Sequence, residues 1–155
     1  MTSMTTTSER TGDFTAILDL PASSATVAGL FTSAAGVSRW WGPTEGDAEA
    51  GGTLVTSFGD YGVNAMRVLE AGPTRIVWEP IAPGESAPTG HTLEWLGTTV
   101  QFDIVPAGTG TQLHFRHAGL TRQLACFDAC AAAWSQFMAS IQTFAETGTG
   151  TPFQV

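Results

Sequence analysis

The stretch from Gln123 to Glu146 contains no Gly and no Pro, and no other part of the chain constrains the fold as strongly. Within it Leu124, Phe127, Ala131, Trp134, Phe137, Met138 and Ile141 recur at intervals of three and four. That spacing gathers apolar side chains on one face of an α-helix. At the standard rise such a helix is about 36 Å long. Gly148 and Gly150 stop it. An apolar helix face of that length must be covered, and only a sheet upstream is large enough to do so.

The upstream sequence supplies the strands. Phe14, Ala16, Leu18 and Leu20 alternate with Thr15, Ile17 and Asp19, the period of two that a half-buried strand requires. Pro21 ends this strand. Ser23 or Ser24 caps a short helix with Val27, Leu30 and Phe31 on one face, and Gly36 is expected to break it. A second short helical piece leads into Arg39-Trp40-Trp41-Gly42-Pro43. Thr44 to Ala50 is small and acidic and reads as an exposed loop. Gly51-Gly52 then opens a strand through Phe58, and the turn chemistry of Gly59-Asp60-Tyr61-Gly62 predicts a hairpin with Val63 to Glu70. Further strands are predicted from Thr74 to about Ile81, from Thr98 to Val105, and through Leu113, Phe115 and His117. Ala82 to Gly90, with its Pro and Gly, is a loop. Strands followed by one segregated helix make an α+β fold, with an antiparallel sheet burying one face.

Charge narrows the function. The formal net charge is -8, and all six basic residues are Arg: Arg10, Arg39, Arg67, Arg75, Arg116 and Arg122. They are scattered, which speaks against nucleic-acid binding and against an anionic membrane surface. The absence of Lys removes Schiff-base, P-loop and Ser-Lys chemistry. Cys126 and Cys130 lie four apart on the predicted helix and read as small buried or half-buried thiols. Met1 to Gly12 is Thr/Ser-rich without an apolar core, and reads as a disordered lead-in rather than a secretory signal. Residues 13–153 are expected to form one domain, in the cytoplasm.

Several short motifs occur in one order along the chain. They are Trp40-Trp41-Gly42-Pro43, then Gly51-Gly52, then Gly97-Thr-Thr-Val100 with Gly110-Thr111 and Leu113-His-Phe-Arg-His117-Ala-Gly119-Leu120. Cys130, Trp134-Ser-Gln-Phe137-Met-Ala-Ser140-Ile141 and Glu146-Thr-Gly148-Thr-Gly150-Thr-Pro152-Phe153 complete the set. From Phe14 to Phe153 the chain resembles the SRPBCC superfamily, the START and birch-pollen-allergen fold. Within it the chain is similar to the AHSA type, homologues of the heat-shock ATPase activator. The resemblance implies a helix-grip fold: a twisted antiparallel sheet of about six or seven strands wrapped round the long helix, two short helices after the first strand, and a cavity between sheet and helix. The superfamily includes lipid carriers, polyketide cyclases and hormone receptors, so the fold leaves the ligand open.

Trp40, Trp41, Trp78, Trp95, Phe102, Phe115, Trp134, Phe137 and Met138 are the candidate walls of that cavity, with Trp134 on the gripping helix and Trp41 at its mouth. His117, on the inward face with Leu113 and Phe115, is the candidate polar handle or general base. His114 faces the other way and His91 lies in the Pro/Gly loop, so a metal site is not expected. Glu79, Glu94 and Asp103 alternate to the outer face, and Arg116 is expected to pair with one of them. These residues predict a protein that binds a small hydrophobic or aromatic molecule, without cofactor or metal. The alternatives are a cyclase/dehydratase or hydrolase using the same cavity, with His117 and Asp128 or Glu94, or an interaction module that is co-chaperone-like or homodimeric.

Overall fold

The computed structural model describes residues 4–7, 13–59, 62–82, 95–121 and 127–154. His91, Glu94, Cys126, Arg10 and Arg122 lie outside them. Eleven elements follow one another: β1 (Met4–Thr7), β2 (Phe14–Leu20), α1 (Ser24–Ala28), α2 (Ala34–Ser38), β3 (Thr44–Gly46), β4 (Thr53–Ser57), β5 (Val63–Ala71), β6 (Arg75–Ile81), β7 (Thr99–Ala107), β8 (Gly110–Ala118) and α3 (Phe127–Thr147). The strands form one eight-stranded antiparallel sheet in the order β1-β2-β8-β7-β6-β5-β4-β3. Among the described residues, only the β2–β8 pairing joins strands far apart in sequence, with Phe14 opposite His117 and Leu18 opposite Leu113. This is the helix-grip α+β fold.

Alternation sets which side chains reach the core. In β2, Phe14, Ala16, Leu18 and Leu20 are buried while Ile17 and Asp19 are exposed. In β8, Leu113, Phe115 and His117 are buried and Arg116 is exposed. The register of β5 against β6 shifts between Val68 and Glu70, leaving Leu69 unpaired and exposed. Such a bulge adds twist and bend, and so helps the sheet curve round α3.

Three sequence expectations are corrected. The lead-in is not wholly irregular: Met4–Thr7 adds an edge strand in register with Thr15–Leu18, since β2 has backbone groups to spare on that side. The acidic segment after Pro43 begins with a short strand, β3, whose Thr44 hydroxyl meets that of Thr56 at 2.8 Å. Gly36 does not end the first helix, which stops at Gly29, but sits inside α2. A Cβ there would lie 2.0 Å from the Gly29 carbonyl oxygen, so the two short helices pack closely only because position 36 has no side chain.

α1 and α2 are capped by Ser23 and Ser33, whose hydroxyls accept the backbone N–H of Thr26 and Gly36. The turn after α2 carries Trp40 and Trp41 into the space between α3 and the sheet. The segment after α3 doubles back over this turn: the Phe153 N–H donates to the Trp41 carbonyl at 3.0 Å, and the Thr151 N–H to the buried Ser140 hydroxyl at 2.8 Å. Gly150 lies so close to the Arg39 carbonyl that a Cβ would come within 2.4 Å of its oxygen.

Candidate functional site

The five tryptophans come from four separate parts of the chain and converge into one buried column. Trp41 is stacked on Trp78 of β6 (5.5 Å between ring centroids, 18° between planes) and on Trp134 of α3 (5.7 Å, 18°). Trp134 continues onto Trp95, in the turn before β7 (5.7 Å, 14°). Trp40 closes the other end, near-parallel to Trp41 (5.6 Å, 12°) and Trp78 (6.4 Å, 7°). Phe31, Phe102, Phe115 and Phe137 pack around the column, Phe102 edge-on to Trp78 at 5.1 Å and Phe115 against Trp134 at 4.5 Å. Offset and edge contacts of this kind add about 0.5–1.5 kcal/mol each beyond the area they bury.

The predicted wall residues are therefore brought together, but as a packed column. Trp40, Trp78, Phe102 and Met138 are fully buried, Trp41, Phe115 and Trp134 nearly so, and Phe137 partly. Trp41 is not at a mouth: it is 1% exposed and wedged between helix and sheet. Two grooves lined by described residues lie elsewhere, one of about 830 Å³ between Pro43, Val55 and Phe153, the other of about 600 Å³ between Pro21, Thr111 and Glu146.

One polar circuit crosses the column. The Trp134 indole N–H donates to Nδ1 of His117 at 3.0 Å. Indole nitrogen only donates, so Nδ1 carries no proton. On the other side, Nε2 lies 2.8 Å from the Thr98 hydroxyl, which donates its own proton to the Trp95 carbonyl at 2.6 Å. The hydroxyl must therefore accept from Nε2–H, and both ends of the ring require the same neutral tautomer. The Trp95 indole N–H in turn donates to Sγ of Cys130 at 3.3 Å, one helical turn before Trp134. The circuit thus leaves α3 at Trp134, passes through β8 and the 95–98 turn, and returns to α3 at Cys130.

Burial sets the charge state of this ring. Desolvation pushes the His117 pKa down to about 3, against a smaller opposing pull from the negative charge of Asp13. At neutral pH the imidazole is uncharged and both nitrogens are engaged. A general base needs a lone pair facing substrate, and a polar handle needs an unused nitrogen; His117 presents neither. Its contribution is to fasten the sheet to the helix.

Within the described residues the outer-face assignments of His114 and Asp103 hold, the partner expected for Arg116 changes, and Glu94 lies outside those residues. His114 faces outward, with Nε2 2.7 Å from the side-chain amide oxygen (Oε1) of Gln112, and Asp128 is exposed on the first turn of α3. Asp103 accepts from Arg75 at 2.7 Å. Among the described residues, Arg116 pairs neither with Asp103 nor with Glu79. It donates through Nε and Nη2 to Asp13, just before β2, whose other oxygen accepts the Gly119 N–H at 2.9 Å. Register explains the change: Arg116 stands opposite Thr15 and Gln101, with Asp13 just before the first paired residue, Phe14. Among the described residues, no three His, Cys, Asp or Glu side chains gather as metal ligands, and no helix is long and apolar enough to cross a membrane.

Residues 21–146 match the family described as Activator of Hsp90 ATPase homolog 1-like protein. The chain belongs to this family. No curated protein matches it. Among solved structures it is similar to the Aha1 dimer from Colwellia psychrerythraea, with a TM-score of 0.76 and 20% identity over 89% of this chain and 98% of that one. It is also similar to CalU16 from Micromonospora echinospora (TM-score 0.64, 17% identity, 97% of this chain and 86% of that one). DynU16, a protein of the dynemicin biosynthetic locus, follows at TM-score 0.67 and 19% identity, over 88% of this chain but 48% of its own. At these identities the likeness concerns the fold.

Proposed function

We propose that the protein holds a small hydrophobic or aromatic molecule between the sheet and α3, against the tryptophan column. The observation that carries this reading is the column itself. Five large, flat, near-parallel rings are concentrated in the one layer of the fold that lies between helix and sheet. Pockets for small molecules are lined mainly by apolar and aromatic surface with few polar groups. A planar guest that parts two stacked rings exchanges one offset stacking contact for two. The cyclase or hydrolase alternative is less well supported, because His117 has no lone pair left to act as a base.

Native mass spectrometry of protein purified from its own host is the direct test. A bound mass that is lost on denaturation supports the reading and identifies the compound class. Protein without a bound mass, whose tryptophan emission and melting temperature do not respond to a panel of apolar aromatics, would rule it out. A homodimer is a second reading, prompted by the fold shared with the Aha1 dimer of Colwellia psychrerythraea. Sedimentation equilibrium checks it, and a mass of one chain at all concentrations rejects it.

A further inference from the structure

Resting on the proposed binding role, we propose that the ligand carries a neutral oxygen acceptor, a carbonyl or phenol oxygen on a flat apolar ring system, and that the Trp78 indole N–H recognises it. The indole nitrogens of Trp40, Trp95 and Trp134 all have acceptors: the Leu30 carbonyl at 2.8 Å, Cys130 Sγ at 3.3 Å and His117 Nδ1 at 3.0 Å. Trp78 is buried as deeply as these, yet its Nε1–H has no hydrogen-bond partner among the described residues. Nearly all buried donors in folded proteins are paired, and an unpaired one is costly.

The surroundings define what would pair with this donor. Trp78 is ringed by Phe31, Trp40, Trp41 and Phe102, and its strand neighbours in register are the buried Val68 and Val100. The edge contact with Phe102 offers a ring face at best, a second-order partner. None of these residues is charged, so a carboxylate guest would be buried without a counter-ion. A guest that is neutral, planar and equipped with one oxygen meets all three conditions: it stacks, it brings no charge, and it satisfies the N–H.

Fluorenone and fluorene test this, since they share one tricyclic skeleton and differ in a single carbonyl. Their affinities are measured by isothermal titration for the wild-type chain and for Trp78→Phe, which keeps an aromatic ring and removes the donor. The ratio of fluorenone to fluorene affinity is expected to fall about fivefold in the variant. An unchanged ratio, with both probes still bound, overturns the role of Trp78 and leaves the binding role standing. If neither probe binds the wild-type chain, the assignment to Trp78 falls, and the binding role is decided separately by the bound mass. Should Trp78→Phe not fold, the wild-type indole N–H resonances decide. A downfield shift of the Trp78 N–H with fluorenone but not fluorene supports the assignment, and equal shifts with both refute it.

Discussion

Acidification tests the His117 circuit with a calculable magnitude. The folded-state pKa is lowered to about 3, whereas an unfolded chain titrates near the ordinary value of 6.5. Between these values the unfolded state takes up a proton that the folded state refuses. The contribution of His117 to stability is therefore complete above pH 6.5 and is lost as the pH falls towards 3. Two pH units below the unfolded value, at about pH 4.5, the loss is about 3 kcal/mol at 1.36 kcal/mol per unit. Carboxylates have their own acid dependence, so the comparison must be with a variant that cannot titrate here. His117→Gln retains a neutral donor and acceptor. It should be less stable than wild type by about 1–3 kcal/mol at pH 7.5, because its amide fits the Trp134 and Thr98 geometry imperfectly. Urea unfolding followed by tryptophan emission should show this gap close or reverse at pH 4.5. A gap that stays constant to within about 0.5 kcal/mol between the two pH values would refute the neutral buried ring. Nitrogen-15 shifts provide a second check: Nε2 should carry the proton, and the ring should not titrate above pH 4.

Other expected outcomes follow from single contacts. Trp134→Phe keeps a ring in the column but leaves His117 Nδ1 without its donor, and should cost about 1–3 kcal/mol in chemical denaturation. Thr98→Val removes the hydroxyl that links Nε2 to the Trp95 carbonyl and should cost a similar amount, about 1–3 kcal/mol, with faster exchange of backbone amides in the 95–98 turn. Gly36→Ala forces a methyl to 2.0 Å from a backbone oxygen and should lower the melting temperature more than an Ala at Gly72, where the nearest atom is the Arg75 carbonyl oxygen at 3.6 Å. Asp13→Ala strips Arg116 and the Gly119 N–H of their shared acceptor. A loss of about 1–3 kcal/mol is expected, little changed by salt if the backbone bond dominates and reduced by salt if the ion pair does.

Local chemistry in the sequence was enough for the outline of the fold. The uninterrupted apolar face after Gln123 required one long helix, and alternation from Phe14 to Leu20 and from Leu113 to His117 required strands with those residues inward. Periodicity is a short-range property, so it is legible one segment at a time. It also placed Trp134 and His117 in the interior, and Asp103, His114 and Arg116 outside. It could not supply distances between segments. Which acid Arg116 meets depends on β2 lying beside β8, a pairing between strands nearly a hundred residues apart. Whether Met4–Thr7 pairs depends on the edge that β2 leaves open, and Gly36 reads as a helix breaker until Gly29 is seen pressed against it. His117 shows the division most sharply. Its inward direction follows from alternation alone. Its role as a neutral, doubly bonded fastener follows only from the donor that α3 brings to one nitrogen and the hydroxyl that the 95–98 turn brings to the other. A side chain's direction is set by its own strand, but its chemistry is set by whatever the rest of the chain places against it.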